Sequence, residues 1–378
     1  MPLVGRTGRT HFVDRCVDVA AVTCLDPVIH YGNRLQMGDA VSEDRPTVSR
    51  VARHAGVSVA SVSRVLNGLP ATEQTRAKVL AAVEELGYRP NAHARSLKVR
   101  RSEQLAFAVA DVGNPVYVEM MRAVEDEARA RGYRLLVSST AQPDDMLALL
   151  DSLEQGYADG LVISPVRVND DLVAALRRVS YPVVVVGSVP ADLEVDNVRA
   201  NSAVGVRLAL DHLAEQGCRR VAFVNGPHDT VPGAARAEAF EDHARSLGLD
   251  LDPALRVEAG DFTLAEGRKA ASTLLDRTVP DAVLGANDLL AIATMHLLAE
   301  RGLRVPHDVA VIGMDDTELA DVTSPSLTSV DLAADERGGA AARLLLDRLE
   351  EPGRPAQRVT IEPRLSVRGS SDLGGGRR

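Results

Sequence analysis

TVSRVARHAGVSVASVSRVLNG, residues 47–68, is the stretch whose reading decides how this chain folds. Its spacing predicts two short helices around a tight turn. Thr47 is placed to N-cap the first helix, its hydroxyl accepting a bond from an otherwise unpaired backbone N–H. Val48, Val51, Ala52 and Ala55 recur at helical spacing. Gly56 sits where a left-handed residue ends a helix at little cost. Ser58 caps the second helix, whose buried stripe is Val62, Val65 and Leu66, while Val59, Ala60, Ser63, Arg64 and Asn67 fall on the opposite face. A face of small side chains lets a helix enter the DNA major groove, and one arginine there can bond guanine O6 and N7 together. An ordinary helical hairpin is the plain alternative for these residues alone, because short motifs also match by chance.

The residues after Gly68 sharpen that choice. A third helix is expected over residues 72–86, closed by Gly87, and the chain then reads YRPNAHARSL at 88–97. The run 46–97 resembles the LacI/GalR family of bacterial transcription regulators, most specifically in AGVSVASVSRVLNG and GYRPNAHARSL. The resemblance continues to about Arg368. It implies that Val59, Ala60 and Arg64 read bases, while Thr47, Ser58, Ser63, Asn67, Tyr88 and Asn91 bond phosphates and fix register. Pro90 and Asn91 precede a short helix expected over residues 92–97, with Asn91 as its N-cap. Six residues are too few to hold a helix alone, so this one should fold when docked on DNA. By resemblance it is the family's hinge helix. Two of them pack in a dimer within the minor groove, with Ala94 and Lys98 in the contact run and Leu97 wedged into a base step. The plain alternative is a simple linker.

Composition bounds the rest. The chain has 378 residues, 45% hydrophobic and 25% charged, enough for two or three domains. Aromatics are 3% and tryptophan is absent, so no stacking platform for single-stranded nucleic acid is visible. The net charge of −10 would disfavour a DNA partner were it uniform. Residues 45–101, however, hold eleven Lys/Arg against three Glu, a net +8 that leaves −18 on the remainder. A basic module on an acidic body is the asymmetry of a nucleic-acid binder with a second task elsewhere. Cys16, Cys24 and Cys218 have no metal-ligand spacing, and three is an odd number for disulfides, which suits a reduced, cytoplasmic protein. No apolar run reaches the roughly 18–20 residues of a membrane span. The mildly apolar CVDVAAVTCLDPVI is broken by Asp18 and Asp26 and is not a signal peptide. Residues 1–45 show no sustained period and are expected to be a disordered extension, with Met37 as an alternative start.

From Leu105 onward short apolar runs alternate with amphipathic segments. Strands are expected at 105–109, 134–138, 160–164, 182–186, 220–224, 282–286 and 309–313, and helices at 115–131, 144–155, 203–216, 233–247, 263–275, 288–301 and 335–349. Unbroken Val/Ile/Leu runs suit strands buried on both faces, hence parallel sheets flanked by helices. Gly132, Gly217 and Gly302 punctuate helix ends before strands. The expected organisation is a helix-turn-helix domain at 46–87, a hinge and linker at 88–103, and an α/β core of two subdomains at 104–369. Their boundary is placed near 200, the chain crosses back near 328–365 through LTSV (327–330) and RLSVRGS (364–370), and a tail occupies 370–378, its DLGGGRR run expected to be loose. The resemblance gives this core the architecture of periplasmic sugar-binding proteins. Ligands of such sheets bind at the carboxyl ends of the strands, here in the cleft between subdomains. No C-terminal leucine heptad is present, which favours a homodimer over a dimer of dimers.

Catalytic signatures are missing: there is no P-loop, HExxH, GxSxG or CxxC. Asp315 and Asp316 are adjacent carboxylates, but neighbours at a strand end point different ways and make a poor acid/base pair. No cofactor is implied. The ligand-site candidates stand at strand ends and in loops: Ser164 after GLVI, Arg236 early in a helix, Phe262 after RVEAGD, Asn287 and Asp288 after AVLGA, and Asp315 after VAVIGM. Such residues suit a polar, polyhydroxylated ligand, although a strand-end Asp often just caps a helix and Phe262 could belong to the core. The resemblance aligns Asp315, Arg236, Asn287 and Phe262 with effector contacts, and Val116 and Tyr117 with the pocket mouth. It also departs from the family. Gly187 stands where the family commonly has Asp, which puts a specific sugar in doubt. Arg50 replaces the usual acid of the first helix, and Thr230 stands where a purine-binding branch has arginine. The expected protein is a homodimeric regulator, most simply a repressor of a carbohydrate-utilisation operon. Its expected partners are a double-stranded palindromic operator and a small-molecule effector, with no membrane. The alternatives are a regulator that responds to a non-sugar metabolite, a secreted solute-binding protein, which would share the core but lack the basic module, and an α/β enzyme, which would show a nucleophile–base pair or a phosphate loop.

Overall fold

The computed structural model describes residues 46–66, 68–88 and 101–374. The expected extension 1–45, Asn67, and the expected hinge residues Asn91, Ala94, Leu97 and Lys98 lie outside the described residues. The chain divides into two compact units, residues 1–90 and 91–378.

The first unit holds α1 (Val48–Ala55), α2 (Val59–Leu66) and α3 (Glu73–Glu85). The Thr47 hydroxyl accepts the Arg50 N–H at 3.3 Å, Ser58 that of Ser61 at 3.1 Å, and Thr72 that of Thr75 at 3.3 Å. Each helix therefore starts on a side-chain cap that satisfies one orphan donor. Gly56 takes φ 64°, and the Val57 N–H returns to the Ala52 carbonyl at 3.0 Å, closing α1 in a Schellman turn. Val51, Ala52, Val62, Val65, Val79 and Ala82 form the core, one apolar stripe from each helix.

The second unit is built on two six-stranded sheets. The first contains β1 (Gln104–Val109), β2 (Arg134–Ser139), β3 (Gly160–Ser164), β4 (Val183–Val186), β5 (Asp196–Ala200) and β11 (Arg358–Ile361), in the order β11-β5-β4-β3-β1-β2 and parallel throughout. The second contains β6 (Val221–Asn225), β7 (Arg256–Glu258), β8 (Ala282–Gly285), β9 (Ala310–Asp315), β10 (Thr328–Asp331) and β12 (Arg364–Ser366), in the order β12-β10-β9-β8-β6-β7. Only β12 runs antiparallel there. Val162, Val184, Val283, Leu284, Val311 and Ile312 are fully enclosed, which is why these strands read as unbroken apolar runs.

Around the first sheet lie α4 (Pro115–Ala130), α5 (Pro143–Leu153) and α6 (Asp170–Leu176), and around the second α7 (Ser202–Glu215), α8 (Val231–Ser246), α9 (Leu264–Arg277), α10 (Asp288–Glu300) and α11 (Glu318–Val322). The final helix, α12 (Ala334–Glu350), returns to the first sheet and buries Leu344, Leu345 and Leu346 in its core beside α4. Gly132, Gly217 and Gly302 take φ of 79°, 84° and 75°, the left-handed stop that their helices need. Among the described residues no helix is long and apolar enough to cross a membrane.

Two details differ from the sequence reading. LTSV and RLSVRGS do not themselves cross between subdomains. They supply β10 and β12 of the second sheet, and the chain crosses beside them, between β10 and α12 and again between β11 and β12. The expected tail, from residue 370, is anchored at its start. Ser370 and Ser371 are fully enclosed: the Ser370 hydroxyl donates to the Val311 carbonyl at 2.6 Å, and Ser371 bonds Thr328 at 2.8 Å. The serine pair completes the hydrogen bonding of two strand ends.

Candidate functional site

The described face of α2 presents Val59, 44% exposed, together with exposed Ala60 and Arg64, while Val62 and Val65 are buried behind them. Ser63 is half-buried beside them, and Tyr88 packs on the small core. Thr47 uses its hydroxyl oxygen as the acceptor of its cap, which leaves its proton for an outside acceptor such as a phosphate oxygen, while the Ser58 hydroxyl also bonds that of Ser61 at 2.9 Å.

In the second unit, a cavity of about 330 Å³ opens at the carboxyl ends of both sheets. Val116, Tyr117, Ser164, Arg236, Phe262, Asn287 and Asp315 all line it. Their positions follow from local structure. Asn114 caps α4 by accepting the Val116 N–H at 3.2 Å, which sets Val116 and Tyr117 on the first turn facing the cavity. Asn287 caps α10 through the Leu290 N–H at 2.9 Å and donates to the Phe262 carbonyl at 3.1 Å, tying the aromatic loop to the strand ends. Gly226 leaves room for that ring, since a Cβ there would meet Phe262 at 2.2 Å. Gly187 also borders the cavity, and a Cβ there would find only the Pro165 carbonyl, at 3.8 Å. Space is therefore not what excludes a side chain at Gly187; its φ of 132° is a backbone conformation that favours glycine. Thr230, buried, caps α8 by accepting the Gly233 N–H at 3.1 Å and does not border the cavity.

Asp315 ends β9 in a strained turn, with φ 114° there and 54° at Asp316. The turn is over-determined from below. Asp288, buried at the start of α10, accepts the Thr317 N–H at 2.8 Å, the Thr317 hydroxyl at 3.0 Å and the Ser329 hydroxyl at 2.5 Å. Asp316 turns away, held by Ser366 at 2.6 Å and by Arg368. The two adjacent carboxylates therefore do not face one substrate. Strain retained at such a turn aims a side chain, and here Asp315 is aimed into the cavity. Asp288, a ligand-site candidate in the sequence, does not border the cavity and instead supports the turn, and sequence reading missed Arg337, which borders the cavity from α12. Nothing local distinguishes that arginine from others on an amphipathic helix.

The electrostatics are those of a dry site. Burial pushes the Asp315 carboxyl up to about 6, against the opposing pull of Arg236 and Arg337. Burial, and then the charge of Asp315, push Asp288 up to about 7. Burial and the same charge raise the Tyr117 phenol to about 12, and Tyr117 bonds Ser164. The two carboxyls titrate as a coupled pair. Their folded values lie above the ordinary 3.8, so the folded chain holds protons that the unfolded chain has released. Stability from these groups is fully present below about 3.8 and is lost as pH rises from there to about 6 to 7. The contribution of these groups to the ligand-free melting temperature is therefore expected to rise as pH falls from about 7 to about 4.5, and Asp315→Asn should make that rise shallower, most of all below about pH 6. A profile unchanged by the substitution would show that Asp315 does not titrate there.

Comparison with known proteins places these observations. Residues 47–91 match the family described as bacterial regulatory proteins, lacI family, and residues 210–371 match the periplasmic binding protein-like domain. The ribose operon repressor of Escherichia coli (strain K12) is 35% identical over 329 residues, which cover 86% of this chain and 99% of that protein. Among solved structures, the lac repressor dimer bound to operator and the anti-inducer ONPF has TM-score 0.78 and 26% identity, covering 86% of this chain and 99% of its own. A complex of the transcriptional regulator CelR with cellobiose has TM-score 0.66 and 33% identity, covering 86% of this chain and 100% of its own.

Proposed function

Because the chain belongs to the LacI family of bacterial regulatory proteins, we propose that it is a cytoplasmic, homodimeric transcription repressor that binds a palindromic operator and is controlled by a carbohydrate effector. It is not an enzyme. The observation that carries this reading is the exposed face of α2: small side chains around one arginine, on the only strongly basic stretch of an acidic chain. In this reading Val59, Ala60 and Arg64 meet base edges in the major groove, and Thr47, Ser58, Ser63, Asn67, Tyr88 and Asn91 meet phosphates. Ala94, Leu97 and Lys98 enter the minor groove, where Leu97 unstacks a base step and kinks the duplex. The effector occupies the cavity between the core subdomains. It is bonded by residues of both, and so favours one of their relative orientations.

Arg64→Ala tests the reading. With the operator obtained by selection from random duplexes, the variant is expected to lose about 1–3 kcal/mol on that operator and to accept other pairs at one position per half-site. On random DNA at the same salt it should lose far less. Equal losses on both would make Arg64 a phosphate contact, and base reading would have to lie elsewhere.

A further inference from the structure

The cavity carries more buried cation than its own side chains balance. Arg236 donates through Nη1 to the Ala286 carbonyl, but its Nε is buried with no partner among the described residues. Arg337 borders the cavity from the opposite subdomain, and its Nε is buried and equally unpartnered. Loss of hydration pulls both guanidinium groups below the ordinary arginine range. One carboxylate, Asp315, faces both. The other acids nearby are engaged: Asp288 by Thr317 and Ser329, and Asp331, which also faces Arg337, by the Ala333 N–H at 2.6 Å. At the rim, Asp111 and Asp261 are exposed and accept backbone N–H groups, while Arg167 is paired with Asp229 in a bidentate bridge at 2.8 and 3.1 Å. The interior thus sets two guanidinium groups against one shared carboxylate. An uncompensated buried charge is costly, and a site that tolerates one is completed by a ligand of opposite sign.

We propose that the effector is an anionic carbohydrate, a sugar acid or a sugar phosphate, whose charged group is taken by Arg337 and Arg236 while Asp315 accepts its hydroxyls. This rests on the reading of the cavity as the effector site. The planar guanidinium fork matches carboxylate and phosphate oxygens in pairs. A volume of about 330 Å³ suits one sugar ring with a charged substituent. A neutral sugar of the same shape leaves the arginines unpaired, and sites built around buried polar groups reject analogues that lack the partner.

The test uses the full chain and four probes: glucose against glucuronate, and ribose against ribose 5-phosphate. Binding is read by the shift in melting temperature and by calorimetry. At least one anionic probe is expected to bind roughly tenfold or more tightly than its neutral match. Response to glucuronate alone assigns a sugar acid, and to ribose 5-phosphate alone a sugar phosphate. Arg337→Met should lose that preference and raise the ligand-free melting temperature, because it removes an unpaired buried charge. Arg337→Lys should keep part of the preference. A structural arginine would do the opposite, lowering the melting temperature of Arg337→Met. The proposal is overturned if neither anion binds, if neutral and anionic probes bind alike, or if Arg337→Met keeps the preference. Operator binding by the ligand-free chain, measured alongside, separates failure of this inference from failure of the regulator reading.

Discussion

Replacing Asp315 by alanine is expected to abolish the effector response while leaving ligand-free operator affinity within about threefold of the unsubstituted chain. Asp315 is the one carboxylate facing both buried arginines of the cavity, and it stands at the end of β9 where a ligand bonded to both subdomains must pass. Hydrogen bonds to a buried charged group contribute about 1.5–3 kcal/mol each, so a bidentate contact removed here should weaken the effector by a hundredfold or more, roughly. A ligand shifts a two-state equilibrium only by its differential affinity for the two states. With that difference gone, a repressor released by ligand becomes permanently repressing. Alanine is also strained at φ 114°, so Asp315→Asn, which tolerates positive φ better, is the companion variant. The measurement is operator affinity with and without an effector found by melting-temperature screening. Normal release of Asp315→Ala by the effector would falsify the pocket assignment. Loss of operator binding without ligand would make Asp315 structural, or the ligand a corepressor.

Much of this was legible because its causes are local. The small helical unit announces itself through Thr47, Gly56, Ser58 and Thr72, each of which acts on a neighbour within five residues. The central strands read clearly because both faces are covered, which forces runs such as GLVIS and PVVVV. The seven cavity residues were reachable because strand ends and helix caps are sequence-visible and the family resemblance pointed to the same positions. What escaped is non-local. DNVRA makes β5 only because β4 and β11 flank it, and its polar letters give no strand signal. Asp288 reads as a ligand-site candidate beside Asn287, yet it holds Thr317 and Ser329 from distant segments. Arg337 faces the cavity only because the chain crosses back after β10, and no local pattern encodes that crossing.

The largest stability effect is expected at another buried carboxylate, Asp196. It opens β5 with a fully enclosed side chain. Its oxygens accept Arg348 Nε at 2.6 Å, Arg348 Nη2 at 3.1 Å, Arg354 Nη2 at 2.8 Å and Nη1 at 3.2 Å, and the Gln357 N–H at 2.8 Å. One carboxylate thus joins β5, next to the edge of the first sheet, to the end of α12 and to the loop that leads into β11. Asp196→Ala strands two arginines whose side chains are 17% and 9% exposed. Removing one partner from a buried charge network typically costs about 3–5 kcal/mol, because the remaining charge keeps its desolvation penalty. Arg348 and Arg354 retain carbonyl acceptors at Pro355 and Leu344, which soften the loss without neutralising it. For a core of this size the melting temperature should fall by on the order of 10 °C. Asp196→Asn, which keeps an acceptor for Gln357 but not the charge, should fall between. The same network anchors the helix that carries Arg337, so effector affinity should drop in Asp196→Ala even below its new melting point. A loss of under about 1 kcal/mol would mean that water replaces the carboxylate, and the crossing would then be held by the apolar packing of α12 alone.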